Sequence, residues 1–335
     1  MRNVLKAMID DWKGTSLLNK AFYAMTLNRN NYSKAAQEIV RSIREFSITK
    51  PELGMYWDNL QDHWSYRDKV ATTSTILQAL NEVDPQKEEI DLTRKWILLM
   101  KQSNDWGSSS LAADAVYTIL STGSEWLSHQ GTANITIDGE PVTFDKTAAY
   151  VGYGRKTIEK AKSGSVVSIE RDGNSPAWGA VYCQFKQEMT TVKEQAIDEL
   201  SIHKEYYTYA ADGTLHPASA TGLKVGDKVQ VRVVIKNNKD MDYVTVADER
   251  GACFEPKDQL SGYRHADRCW YYLETKDSKT NLFFDNLQKG THVISYDVYV
   301  STAGTFAAGI ATAQSQYAPQ LVAHSAGELL QVGAR

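Results

Sequence analysis

Three groups of residues have types and spacing that chemistry could use. The first is the cysteines Cys183, Cys253 and Cys269, an odd count. Cys253 and Cys269 flank an expected loop, which leaves two readings open: a disulfide between them, or two small buried thiols. The second is histidine with nearby acids. Asp58, Asp62 and His63 sit near one another, and His265, Asp267 and Cys269 alternate along one segment, which would put three donors on one side of a strand. Neither spacing is that of a zinc site, so both read as polar loops and no metal is expected. The third is aromatic: Trp270-Tyr271-Tyr272 could stack on a sugar ring, although alternating aromatics more often divide between core and surface.

Other candidates carry less. Ser108-Ser109-Ser110 has no His and Asp partners for a nucleophile and reads as a helix cap. Gly152-Tyr153-Gly154-Arg155 lacks the strand-loop-helix setting of a phosphate cradle. No catalytic residue and no cofactor are expected.

The elements that must position these residues change character along the chain. Six helices are expected first. One carries Val4, Leu5, Met8, Ile9 and Trp12. A second begins after a Ser16 cap with Leu18, Ala21, Phe22 and Met25, and a third holds Tyr32, Ala35, Ile39, Ile43 and Phe46 before Lys50-Pro51. A fourth runs from about Ser65 to Asp84-Pro85, a fifth from Gln86 to Gln102, and a sixth from Ser108 with Ala112, Ala115, Val116 and Ile119. Short connections make neighbouring helices antiparallel, so these are three hairpins. Two loops, Gly54-Met55-Tyr56-Trp57-Asp58 and Asp105-Trp106-Gly107-Ser108, share an aromatic-glycine character that suggests part of an α/α toroid. An unclosed ring would expose apolar faces around Leu5, Met8 and Trp12, inviting self-association or cover by the later β part.

From about Gly123 the reading turns to β. Ile135 to Phe144 is two strands across Asp138-Gly139, and Ser165 to Glu170 with Ala177 to Phe185 reads as a second hairpin. From about Leu200 the strands follow at sandwich spacing: Ile202–Tyr209, Val229–Ile235, Met241–Arg250, Trp270–Leu273, Asn281–Phe284, Thr291–Val300 and Gly304–Gln314. Asp248, Glu249 and Arg250 read as a charged turn. The expected fold is therefore a multidomain α + β chain: helical hairpins of a partial α/α toroid over 1–125, a small β segment over 126–190, and an antiparallel β-sandwich over 195–335.

Composition sets outer limits. With 42% hydrophobic and 23% charged residues, the 335-residue chain can build ordinary cores. A formal net charge of -4 argues against nucleic acid or an anionic lipid surface as partner. No apolar run is long enough to insert into a bilayer, and the first residues lack the apolar core of a signal peptide.

The order of these parts, with several specific blocks, resembles the C-terminal part of the bacterial alpha-2-macroglobulins. The blocks are Asp240-Met241-Asp242-Tyr243-Val244, Asp248-Glu249-Arg250 with Phe254-Glu255-Pro256, Phe283-Phe284-Asp285 before Lys289-Gly290-Thr291, and Gly304-Thr305-Phe306 before Tyr317-Ala318-Pro319. Trp96 to Gln102 with Trp106-Gly107-Ser108 looks like a repeat of the family's thioester domain. The resemblance runs from about Ser16 to Val332. It implies the later half of a thioester domain, CUB-like return strands and a C-terminal macroglobulin domain.

It also implies a parent protein, periplasmic or in the cell envelope, that inhibits endopeptidases by trapping proteases as prey. The thioester itself needs Cys followed two residues later by Glu-Gln. None of Cys183-Gln-Phe-Lys, Cys253-Phe-Glu-Pro and Cys269-Trp-Tyr-Tyr provides it. Tyr56 stands where some relatives carry a His that directs the nucleophile, and Tyr56 with Trp57 could shield a thioester from water or be core aromatics. The alternative to this reading is a stand-alone protein- or glycan-binding module built on the sandwich.

Overall fold

The structure is a computed structural model and describes residues 2–51, 53–58, 66–104, 106, 108–123, 133–144, 153–159, 162, 164–172 and 179–335. Six helices open it: α1 (Arg2–Asp11), α2 (Leu17–Arg29), α3 (Ser33–Glu45), α4 (Tyr66–Val83), α5 (Lys87–Ser103) and α6 (Ser109–Ser121). The expected caps form. The Oγ atoms of Ser16 and Ser108 each accept a bond of 3.3 Å, from the amides of Asn19 and Leu111, satisfying donors that have no partner inside the helix. Helix α4 packs against α2, α3, α5 and α6, which explains why its Ile76, Leu77, Ala79 and Leu80 are all fully buried.

Charge reinforces this packing. Arg44 near the end of α3 donates to Glu89 at 2.7 Å, to the Asp84 carboxylate at 2.5 Å and to the Asp84 carbonyl at 2.7 Å, tying α3 to the α4–α5 turn.

The expected apolar edge on the first helix is corrected. Leu5 and Trp12 are buried, and with Met8 and Ile9 they pack into the same cluster as α2 and α3. The Leu5, Met8 and Trp12 stripe turns inward, so these residues are not the exposed patch that was expected.

Between α3 and α4 lies a short hairpin, β1 (Ile48–Lys50) with β2 (Gly54–Tyr56), docked on α5. After the helices come β3 (Ala133–Ile137), β4 (Glu140–Pro141) and β5 (Val167–Arg171), ordered β4-β3-β5. Asp138 and Gly139 both have positive φ, 53° and 85°, the backbone that a two-residue turn matching strand twist requires. The second expected hairpin does not form: β5 pairs with β3, and the described residues 179–185 carry no strand.

The remaining chain holds β6 (Leu200–Tyr209), β7 (Leu215–Pro217), a one-turn helix α7 (Ala218–Thr221), β8 (Leu223–Lys224), β9 (Lys228–Asn237), β10 (Met241–Glu249) and β11 (Phe254–Pro256). Then follow β12 (Gly262–Ala266), β13 (Cys269–Thr275), β14 (Lys279–Leu287), β15 (Gly290–Val300), β16 (Gly304–Ala307), β17 (Ala311–Ser315), β18 (Val322–His324) and β19 (Leu329–Gly333). One sheet runs β12-β13-β14-β10-β17-β18 and another β11-β15-β9-β6-β7. Val229, Val231, Val233 and Ile235 of β9 are buried, as their alternation predicts. A single buried cluster takes Ile202, Val233, Ile235 and Ile294 from one sheet and Val244, Val246, Leu282, Phe284 and Ala313 from the other, so the two sheets share a core.

The expected strand Gly304–Gln314 is two strands in different sheets. It breaks at Gly309, whose φ is +75° and where a Cβ would lie 2.5 Å from the Glu249 carbonyl oxygen. Among the described residues no helix is long and apolar enough to cross a membrane.

Candidate functional site

The aromatic-glycine segment is built by close approach. Gly54 has φ +89°, and a Cβ there would lie 2.2 Å from the Leu92 carbonyl oxygen, so only glycine lets β2 lie against α5. Contact of this kind carries Tyr56 into a stack on Trp96, with ring centroids 5.8 Å apart and planes 9° apart. Trp57 is fully buried, and its Nε1 donates to the Ile43 carbonyl at 2.8 Å. Both aromatics fill helical core. Asp58 beside them is exposed, while Asp62 and His63 lie outside the described residues, as does Gly152.

The disulfide reading is corrected: Cys183, Cys253 and Cys269 are all free, Cys183 exposed and the other two buried. Cys253 packs with Tyr206, Phe254, Val298 and Val300, whereas Cys269 packs with Tyr271, Phe284 and Ile294 in a different cluster. Separate cores, not loop length, keep the two sulfurs apart. Burial pushes both thiols up from the ordinary cysteine value, and for Cys269 the nearby Asp267 adds to it.

The alternating His265, Asp267 and Cys269 divide among three tasks. His265 packs on Trp270 across the β12–β13 hairpin, with ring centroids 5.1 Å apart. Asp267 Oδ2 accepts from the Val293 amide at 2.7 Å. Cys269 Sγ meets His292 Nδ1 at 3.2 Å, and His292 Nε2 contacts the Gln288 carbonyl at 2.7 Å. That carbonyl requires a proton on Nε2, which leaves Nδ1 to accept from the thiol. Among the described residues no group of three or more His, Cys, Asp or Glu could hold a metal ion. The aromatic trio splits by strand phase: Trp270 is 66% exposed while Tyr271 is buried.

A polar centre unnoticed in the sequence lies between the two large sheets. Lys204 follows Leu200 and Ile202 on the inward phase of β6, Asp248 follows Val244 and Val246 on that of β10, and Tyr296 lies between Ile294 and Val298 on β15. The Lys204 Nζ stands 2.5 Å from Asp248 Oδ1, with side chains 5% and 0% exposed. Tyr296 donates its hydroxyl to Asp248 Oδ2. Lys204 also donates to the Glu249 carbonyl at 2.7 Å, and Tyr206 donates to the Ala308 carbonyl at 3.3 Å.

Burial, and then the Asp248 charge, push both tyrosine hydroxyls well above the ordinary value, so they remain donors. Asp248 is therefore no part of a charged turn, which corrects the earlier expectation. Glu249 is exposed at the end of β10, and Arg250 donates at 2.9 Å to the carbonyls of Lys276 and Asp277 and to Thr280 Oγ1. The arrangement joins the two sheets through one desolvated charge pair.

The helices, the small sheet and the two large sheets together define an α + β chain of several parts. Within it, residues 200–320 match the family model described as the bacterial alpha-2-macroglobulin MG10 domain. The resemblance to the bacterial alpha-2-macroglobulins read from the motifs is thereby shown for these residues. Among solved structures the chain is similar to Escherichia coli alpha-2-macroglobulin activated by porcine elastase, at 15% identity and TM-score 0.39, covering 98% of this chain and 29% of that one. It is similar as well to the trypsin-activated protein from Escherichia coli, at 13% identity and TM-score 0.40, with 98% and 22% covered. The native Escherichia coli protein from domain MG7 to the C-terminus matches at 14% identity and TM-score 0.34, with 98% and 51% covered.

A curated relative, Circularly permutated Ras protein 2 of Dictyostelium discoideum, is 23% identical over 176 residues, which is 49% of this chain and 4% of that protein. The chain thus spans about half or less of each of these proteins.

Proposed function

We propose that this chain serves as the C-terminal part of an alpha-2-macroglobulin-like protease trap that works in the periplasm or cell envelope. The observation that carries this reading is the match of residues 200–320 to the bacterial MG10 domain. Residues 1–125 then act as part of a thioester-type α/α toroid, 126–190 as CUB-like return strands, and 195–335 as a macroglobulin sandwich. The chain's role is scaffolding with no catalytic residue of its own, which fits the lack of Cys-x-Glu-Gln in the sequence. Tyr56 and Trp57 would seal one wall of the thioester pocket by packing against Trp96 and α3.

The test begins with the gene. If the reading frame extends upstream into macroglobulin-type domains, the longer product is expressed with and without residues 195–335 and incubated with trypsin. Entrapment leaves cleavage of a small peptide substrate intact and blocks cleavage of a large protein; removing 195–335 is expected to abolish that block. A frame that starts at Met1 beside unrelated genes, with no partner chain co-purifying, overturns the proposal.

A second reading rests on the aromatic surface of the β12–β13 hairpin. Tyr263 and Trp270 are each 66% exposed, and Tyr263 packs edge-on against Tyr272 at 5.2 Å. Such rings suit the apolar face of a sugar, and a glycan array returning no ligand removes this alternative.

A further inference from the structure

The Lys204–Asp248 contact holds an amine nitrogen against a carboxyl group inside the protein. Both side chains are buried between sheets, where separate charges are poorly solvated and costly to keep. The two carboxylate oxygens are held differently. Oδ2 accepts the Tyr296 hydroxyl, while Oδ1 has the Lys204 Nζ 2.5 Å away and accepts no geometrically sound hydrogen bond. The carboxyl carbon is one bond from that oxygen. On the other side, Lys204 Nζ already donates to the Glu249 carbonyl at 2.7 Å. One oxygen accepts a hydroxyl, the other lies against the nitrogen, and that nitrogen has a second acceptor in place.

We propose that Lys204 and Asp248 condense to an intramolecular amide that links β6 to β10 and so joins the two sheets covalently. The reaction balances without oxidant or cofactor. One ammonium proton passes to Oδ1, giving the amine and the carboxylic acid that the condensation consumes. The Nζ lone pair attacks Cγ and forms the C–N bond. A second nitrogen proton passes to the Oδ1 hydroxyl, the Cγ–Oδ1 bond breaks, and one water leaves. The remaining N–H donates to the Glu249 carbonyl, and the Oδ2 carbonyl accepts from Tyr296. Tyr296 is a positioning residue that polarises the acceptor carbonyl. Its hydroxyl stays protonated because burial, reinforced by Asp248, raises its pKa well above the ordinary value. The product replaces two buried charges by a neutral amide whose two polar atoms both have partners already in place. The inference does not depend on protease trapping.

The test is the mass of the full chain, denatured and with thiols reduced. The expected mass is one water below that of the sequence, with tryptic mapping that joins the Lys204 peptide to the Asp248 peptide. Lys204→Arg and Asp248→Ala are expected to restore the full sequence mass. Tyr296→Phe is expected to yield a mixture of linked and unlinked chain after expression. A wild-type protein with a folded circular-dichroism spectrum and the full sequence mass overturns the proposal and leaves an ion pair only. A water loss that maps to Asp138-Gly139, Asp172-Gly173 or Asp212-Gly213 is aspartyl succinimide and overturns it equally.

Discussion

Gly54 shows how much one position decides. Its positive φ and its closeness to the Leu92 carbonyl leave no space for a side chain. Gly54→Ala is expected to cost about 3 kcal/mol or more, since a strained backbone and a backbone clash add, and urea unfolding followed by Trp fluorescence measures it. The thiols make a second prediction at this scale. Cys183 is exposed and Cys253 and Cys269 are buried, so a maleimide is expected to label one cysteine quickly and two only on unfolding.

Because burial raises the folded pKa of Cys253, Cys269 and Tyr271, the folded state keeps protons that the unfolded state releases. Stability from these groups is complete below the unfolded thiol value, about 8.5, and falls as pH rises past it. Urea midpoints taken between neutral pH and about 10 check the sign; a midpoint that rises with pH contradicts it.

At the scale of elements, helices were readable because capping and periodicity are local. Ser16 and Ser108 announce their helices and Pro85 follows the end of α4, whereas α3 ends at Glu45 and Pro51 follows β1 instead. The β10 alternation is legible too, but the inward turn of its charged end is not. Asp248 sits on the buried phase two residues after Val246, and Lys204 two after Ile202, so strand phase alone pointed inward. Ordinary expectation placed charge outside, and only the partner strand could show that the two charges meet. The same limit hid the Cys269–His292 pair, whose members come from different strands, and the break at Gly309, which depends on the nearby Glu249 carbonyl.

Helix order depends on one cation in a comparable way. Arg44 joins α3 to Asp84 and Glu89, and its guanidinium is held above its usual value by those carboxylates against the cost of burial. Arg44→Ala is expected to destabilise the helices by about 1–2 kcal/mol, the low figure reflecting a half-exposed Asp84 partner. A denaturant series at low and high salt checks it, because the loss should shrink as salt screens the pairs.

Across the whole molecule, burial divides the chain. The helical clusters and the β clusters have no member in common. Between Thr122 and Leu200 no described residue is buried. Polar contacts between the helices and the β part include Asn104 Nδ2 to the Asp240 carbonyl at 3.2 Å, and Gln320 to Gln102 at 3.1 Å. Cooperativity follows shared apolar burial, and cores that share no buried residue should unfold separately. Calorimetry of the full chain is therefore expected to show two transitions. The buried tryptophans Trp12, Trp57, Trp96 and Trp106 all lie in the helical part, so their fluorescence should follow one transition only. A chain of residues 192–335 should fold alone and reproduce the other. Proteases should first cut between 124 and 190, where no described side chain is buried to resist opening. A single transition shared by fluorescence and heat capacity, or an unfolded 192–335 chain, would show instead that the helices and sheets stabilise each other.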